Sequence, residues 1–267
     1  MRICVLRSGS SGNCILIENG ACRILIDAGG MSQRKLKEIL LEAELTPDQL
    51  DGLVITHTHS DHINYSTIQI CQRFAIPVWV HQFNIPILLN QFQLDEKDYR
   101  FVPFDTGSFE ISGLLFEPFE VSHDAPQVTC GFRISEKNSG KSVTYAADLG
   151  YFPDSLLPFF KGASIILLEA NHDTELLWKN KHRPYIHKKR VAGNTGHLSN
   201  IQCAEAIVKI IGDSGEYPGR LVLCHLSKDH NSPQLAIDTI TKIFEKERIS
   251  IPVVAASRYE RSDFFDI

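Results

Sequence analysis

The stretch Thr56-His57-Thr58-His59-Ser60-Asp61-His62 places four side chains able to bind a metal within six residues. Imidazole nitrogen and carboxylate oxygen together suit Zn²⁺, Mn²⁺ or Fe²⁺. A lone histidine is usually incidental, but three beside an aspartate at this density point to a metal. The apolar run Leu53-Val54-Ile55 precedes the cluster and reads as a buried strand. A helical pattern follows, from Ile63 towards Phe74. The ligands are therefore expected where a strand ends and a helix begins, which is where open α/β sheets carry their sites.

Other strand ends repeat the pattern. A run ending at Val121 leads to His123, Ser142 to Ala146 leads to Asp148, and Leu221 to Cys224 leads to His225. With His57, His59, Asp61 and His62 these are too many ligands for one tetrahedral ion, and they suit two neighbouring ions. His57, His59 and His123 would hold the first. Asp61, His62 and His225 would hold the second, with Asp148 bridging through its two oxygens. Two divalent ions ~3.5–4 Å apart share a water, lower its pKa and clamp the attacking and leaving oxygens in line. Zn²⁺ is the first choice, with Mn²⁺ or Fe²⁺ as rivals. Asp27 ends a further strand before Gly29-Gly30. It can orient the metal loop by hydrogen bonds, or cap a helix from Ser32 to Ala43.

The elements that must position these residues follow from pattern. Arg2 to Leu6 reads as a first strand. Asn13 to Glu18 and Cys22 to Ile26 pair around Asn19-Gly20, a hairpin signal. Between them, Ser8-Gly9-Ser10-Ser11-Gly12-Asn13 is either a plain turn or an anion-binding nest, with Ser10 and Asn13 as candidate substrate contacts. Thr46-Pro47-Asp48-Gln49 is a capping signature. Val78 to Val80 is a strand. Short β-like runs occupy Tyr99 to Val121, and Val128 to Ile134 pairs with Ser142 to Ala146 around Asn138-Ser139-Gly140. Ser164 to Leu168 is a buried strand. Ser199-Asn200-Ile201-Gln202 is a capping box for a helix to about Ile211. Ser232-Pro233 opens a helix to about Arg248, and Ile251 to Ala255 is the last strand.

Composition narrows the class. The 267 residues are 43% hydrophobic and 22% charged, ordinary for a globular protein. A net charge of -5 excludes a uniformly basic nucleic-acid binder, so a polyanion partner must use a local patch. The seven cysteines are odd in number, lack any C-x-x-C, and mostly lie in apolar runs. They read as core residues in a reducing compartment. No apolar run approaches the ~18 residues of a membrane span, and the chain starts directly on a strand without a signal-peptide pattern. A cytoplasmic protein is expected.

H-x-H-x-D-H, followed by a later His, Asp and His, resembles the metallo-β-lactamase superfamily, from Asp27-Ala28-Gly29 through His225. Within it the chain resembles the YycJ (WalJ) branch. Four segments carry this: Ser8 to Asn13, Glu169-Ala170-Asn171-His172-Asp173, Gly196-His197-Leu198-Ser199-Asn200, and His225-Leu226-Ser227-Lys228-Asp229-His230-Asn231. The His197 segment is also similar to the tRNA 3′-processing (RNase Z) and cyclic phosphodiesterase branches. Thr58 departs from the branch, where Glu is common. The resemblance implies an α/β (α+β) fold, a four-layer αββα sandwich of two similar β-rich halves, as one domain over residues 1–267. It further implies a phosphodiesterase, a nuclease acting on DNA ends, in which a hydroxide held by the metals attacks phosphorus. Asp61, Glu169 and His197 are then the candidate catalytic residues. The imidazolium of His197, held by Glu169, would protonate the leaving oxygen. Glu169 could instead be a buried acid bonded to backbone amides. His172, His230 and Asn231 are candidate phosphate contacts.

Lys179 to Arg190 carries six Lys or Arg and no acid. Trp178 and Tyr185 interleave with it, the combination that a nucleic-acid groove uses. Lys188, Lys189 and Arg190 are candidate contacts, with DNA favoured over RNA. The competing readings are a glyoxalase II-like thioesterase, a cyclic phosphodiesterase, a β-lactam hydrolase and a regulatory module with a vestigial site. The intact ligand set argues against the last.

Overall fold

The computed structural model describes residues 1–95, 101–137 and 139–267. Tyr99, Arg100 and Asn138 of the expected runs lie outside these. The first half builds β1 (Arg2–Arg7), β2 (Cys14–Asn19), β3 (Cys22–Ile26), α1 (Gln33–Glu42), β4 (Gly52–Val54), α2 (Tyr65–Arg73), β5 (Val78–His81), α3 (Ile85–Phe92) and β6 (Val102–Phe104). The second builds β7 (Phe109–Ile111), β8 (Leu114–Val121), β9 (Thr129–Glu136), β10 (Ser142–Ala146), α4 (Leu157–Phe160), β11 (Ile165–Glu169), α5 (Thr174–Lys179), α6 (Tyr185–Val191), α7 (Asn200–Ser214), β12 (Arg220–Cys224), α8 (Pro233–Lys246) and β13 (Val253–Ala255). A short β14 (Phe265–Asp266) returns to pair with β1. Among the described residues each half forms one seven-stranded sheet, ordered β14-β1-β2-β3-β4-β5-β6 and β13-β12-β11-β10-β9-β8-β7.

The alternation of side chains along a strand explains the layering. On β1 and β2, Ile3, Val5, Ile15 and Ile17 face the second sheet, where they meet Phe116, Phe132, Val143 and Tyr145. Their neighbours Cys4, Leu6, Cys14 and Leu16 face the other way, into a core with Leu36, Ile39 and Leu40 of α1 and Ile68 of α2. The second sheet does the same outwards: Ile166, Leu168, Leu221 and Leu223 pack with Ile207 and Ile210 of α7 and Ile240 and Phe244 of α8. Both faces of each sheet are covered, so these strands read as continuous apolar runs. Each large side chain so buried stabilises by about 1.5–3 kcal/mol. The result is the αββα sandwich expected from the sequence.

The helix starts at Ser199 and Ser232 form as expected, and Ser32, not Asp27, caps α1; each serine oxygen accepts a backbone amide three residues on. The signature at Thr46 yields only a one-turn 3₁₀ segment, Pro47–Gln49. The reason is tertiary: the Asp51 amide bonds the Arg23 carbonyl at 2.9 Å, pulling the chain into β4. The basic run is likewise broken into α5 and α6, with Pro184 at the N-cap of the second.

Candidate metal centre and adjoining cavity

The strand ends deliver their residues to one edge of the sandwich. Asp27, Asp148 and His225 follow β3, β10 and β12, and each takes a left-handed backbone, with φ of 55°, 58° and 54°. Such φ values are uncommon for non-glycine residues and mark sites where surrounding structure over-determines the backbone. Here the turn swings each side chain off its strand end, Asp27 onto Thr56 and His62 of its own half, and Asp148 and His225 towards His62 and Asp61 of the other half.

Four sets of nitrogen and oxygen atoms converge: His57 with His59 and His123, Asp61 with His62 and His225, and Asp148 with His57 and His62, as the spacing suggested, and also Asp148 with Glu169, His197 and His225. Within each set the atoms lie within 4.8 Å of one another. His57 Nε2 is 3.0 Å from His59 Nδ1, which is 3.3 Å from His123 Nε2. On the other side, Asp61 Oδ2 stands 3.5 Å from His62 Nε2 and 3.4 Å from His225 Nε2. Asp148 lies between the groups, with Oδ2 2.9 Å from His62 Nε2 and Oδ1 3.7 Å from His123 Nε2.

Two observations show that this set fits metal ions. First, four histidines use Nδ1 elsewhere, leaving Nε2 for the centre: His57 on Thr56 Oγ1 (3.0 Å), His62 on Asp27 Oδ2 (2.7 Å), His123 on the Gly196 carbonyl (3.2 Å) and His225 on Glu169 Oε1 (2.8 Å). That arrangement fixes the tautomer a ligand needs. Second, Asp148 Oδ2 is buried with no hydrogen-bond partner among the described residues. Its close neighbour His62 Nε2, at 2.9 Å, makes an ion-pair contact with it. An unsatisfied buried carboxylate oxygen costs heavily unless a cation meets it.

The electrostatics agree. Burial alone would raise the Asp148 carboxyl, but His225 and His62 outweigh it and hold it well below the usual range. Burial opposes a charge on His225, yet Asp148, Asp61 and Glu169 push it up to about 10. This concentrated negative field favours positive charge among the ligands.

Asp27 is fully buried and accepts from the Thr56 amide and hydroxyl, both at 2.9 Å, as well as from His62. It therefore ties β3 to Thr56 and His62 of the His57–His62 loop, and the helix at Ser32 has its own cap. Thr56 was not singled out from sequence, yet its hydroxyl also meets the Nδ1 atoms of His57 and His62. Gly29 lets this packing happen: a Cβ there would lie 2.2 Å from the His62 nitrogen. Gly29→Ala is expected to cost about 1–3 kcal/mol through overpacking and to reduce metal uptake. Gly212 of α7 has open space around it, so Gly212→Ala should stabilise by roughly 0.5–1 kcal/mol. Thermal unfolding of both variants checks the contrast, and equal effects would show that the close approach at Gly29 is unimportant.

Glu169 meets both expectations for it. It is buried; Oε1 accepts from His197 Nδ1 and His225 Nδ1, each at 2.8 Å, while Oε2 accepts the amides of Leu149 (3.1 Å) and Leu198 (3.2 Å). Burial would raise its carboxyl, but His197 and His225 hold it at about 2. Glu169 thus positions two histidines and is sealed from any substrate. The side chain of His197 is 15% exposed and lines a cavity of about 400 Å³.

That cavity corrects several sequence expectations. Ser10 and His230 line it, whereas Asn13, His172 and Asn231 do not. Asn13 is buried against the metal loop, its Nδ2 3.0 Å from His62 Nε2 and its Oδ1 accepting the Gly9 amide. His172 is buried where its backbone bridges to Ser199. The amide of Asn231 is spent on the carbonyls of Ala170 and Asn171 and on Asn200. Of the three basic candidates only Arg190 reaches the wall. Helical geometry decides this, since His187 and Arg190 are three apart and share a face. Lys188 turns to the Trp178 carbonyl (3.0 Å), and Lys189 sits over the Tyr185 ring. Lys228, Asp229 and Arg258 also line the cavity. The first two lie in a segment noted above, but nothing local marks Arg258.

The fold and this centre define a metal-dependent hydrolase, and the chain belongs to the metallo-β-lactamase superfamily: the model of the β-lactamase superfamily domain matches residues 22–226. Its relatives are of the YycJ and WalJ kind. It is 31% identical to an exodeoxyribonuclease WalJ of Streptococcus pneumoniae, over 93% of this chain and 90% of that one. It is 28% identical to an exodeoxyribonuclease YycJ of Bacillus anthracis, over 92% and 90%. The metallo-β-lactamase-fold protein YhfI of Bacillus subtilis superposes with a TM-score of 0.70 at 19% identity, over 98% of both chains. No helix among the described residues is long and apolar enough to cross a membrane.

Proposed function

We propose that this hydrolase is a phosphodiesterase acting on nucleic acid, with a DNA exonuclease as the sharpest form. The observation that carries the reading is the Glu169–His197 pair at 2.8 Å, set between the candidate ligands and a cavity walled by Arg183, Arg190, Lys228 and Arg258. A thioesterase has no use for a proton donor of this kind or for a cationic wall. The names of the relatives point the same way.

His57, His59 and His123 would hold one divalent ion, Asp61, His62 and His225 a second, and Asp148 both. Bound there, such ions acidify water and stabilise charge on the oxygens of an in-line displacement. Zn²⁺ is our first choice, with Mn²⁺ or Fe²⁺ next. In the hydrolysis a bond forms between phosphorus and the water oxygen, the water's proton passes to the Asp61 carboxylate, and the bond to the leaving oxygen breaks. Glu169 fixes the Nδ1 proton of His197, so the ring's other nitrogen is the one able to give a proton to that leaving oxygen. We take residues 1–267 as one working domain, since β14 completes the sheet that β1 begins. A reducing, cytoplasmic setting suits the seven buried free cysteines.

The test compares DNA, RNA, bis-p-nitrophenyl phosphate and S-lactoylglutathione with metal-loaded protein. Digestion of DNA is expected. Hydrolysis of the thioester alone would sink the reading, and cleavage of the small diester alone would favour a small-molecule phosphodiesterase. A finer check uses salt. Lys228→Gln on the cavity wall should flatten the plot of log affinity against log salt by about 0.7–0.9, and Lys189→Gln should leave it unchanged. The reverse result would place the strand across the outer face of α6.

A further inference from the structure

We infer that the cavity beside His197 is a subsite for a terminal phosphate, and that Asp229 makes it selective for a phosphomonoester over an internal diester. This rests on the nuclease reading above. At about 400 Å³ the cavity is the size of a small-ligand pocket, room for the end of one strand and too little for a duplex. Its wall carries Arg183, Arg190, Lys228 and Arg258, with Asp229 the one acid among the described lining residues.

These cations are not equally available. Arg190 forks onto Asp124, with Nη2 2.9 Å from Oδ1, and Asp124 Oδ1 in turn stands 3.6 Å from His123 Nε2. Arg183 forks onto Asp229, with Nε 3.0 Å from Oδ2. Arg258 donates to the uncharged carbonyl of Leu226 at 2.6 Å, so its charge is not neutralised. No salt bridge among the described residues engages Lys228 or Arg258. The wall thus holds two cations outside any salt bridge among the described residues and one arginine leased to Asp229.

The charge of the guest decides the outcome. An internal diester carries one negative charge, so displacing Asp229 from Arg183 merely exchanges one carboxylate for one phosphate. A terminal phosphate carries about -1.5 to -2 at pH 7 and three acceptor oxygens. It can take Arg183 from Asp229 and still engage Lys228 and Arg258. Asp229 repels both guests, but only the monoester gains enough to overcome it. With the terminal nucleotide seated there, the next phosphodiester lies towards His197 and the metal ligands, which gives cleavage at ends.

The experiment uses metal-loaded full-length protein and one oligonucleotide made with a 5′-phosphate, a 3′-phosphate or hydroxyls at both ends. One phosphorylated form should be digested roughly tenfold faster or more than the hydroxyl-ended strand, and the arm that responds identifies the end. Lys228→Gln with Arg258→Gln should lower this ratio by slowing the phosphorylated strand. Asp229→Asn should lower it by speeding the hydroxyl-ended strand. Damage that is merely structural slows both strands alike and keeps the ratio; that result in all variants overturns the assignment. Equal wild-type rates on all ends overturn it too, while leaving the nuclease reading intact. Hydrolysis of bis-p-nitrophenyl phosphate without digestion of any oligonucleotide overturns both.

Discussion

Asp148→Ala is expected to lower bound metal from about two divalent ions per chain and to abolish most activity. Asp148 is placed between both candidate ion sites, and its Oδ2 has no hydrogen-bond partner to lose. Removing it should therefore harm metal binding more than folding. Metal centres supply several kcal/mol of charge stabilisation in the transition state, so a loss of roughly 10³-fold or more is expected at 1.4 kcal/mol per factor of ten. Asp27→Asn should be milder, about 10–100-fold in metal affinity, because Asp27 acts through His62. Elemental analysis beside steady-state rates checks both. Full metal content and full activity in Asp148→Ala would remove it from the centre.

The second large effect is expected from His197→Ala. Glu169 Oε1 holds His197 Nδ1 at 2.8 Å, and the ring lines the cavity at the edge of the candidate ligand cluster, with Nδ1 3.4 Å from Asp148 Oδ1. If it protonates the leaving oxygen, its loss should slow a poor leaving group, such as a nucleoside alkoxide, by about 10²–10⁴-fold. p-Nitrophenolate leaves with little help, so bis-p-nitrophenyl phosphate should suffer much less. Metal content should hold. Equal losses on both substrates would show that His197 positions the substrate and gives no proton. Glu169→Gln is a different variant: it disturbs His225 as well, so it should affect metal content and both substrates together.

The candidate ligand set was legible because it is local. Four candidates lie within one short loop, and the rest follow strands that the apolar runs make plain. The layering was legible for a similar reason, since strands covered on both faces read as unbroken apolar segments. Hydrogen-bond direction was not. Nothing in the sequence says that Thr56 would hold two histidines, or that Asn13 and Asn231 would be spent inside the structure.

The cavity is where tertiary structure decided most. Lys188, Lys189 and Arg190 are adjacent in sequence and look alike, but a helix turns by 3.6 residues and sends them to different faces. Only Arg190 keeps company with His187 on the wall. Asp229 and Arg258 come from distant segments, and only the folded chain brings them to one cavity with Arg183. Sequence alone determined which chemistry the strand ends can support, because ligand types and strand periodicity are properties of neighbouring residues. The substrate-facing surface was decided by packing, because charges there are brought together, paired or left open only when separate elements come into contact.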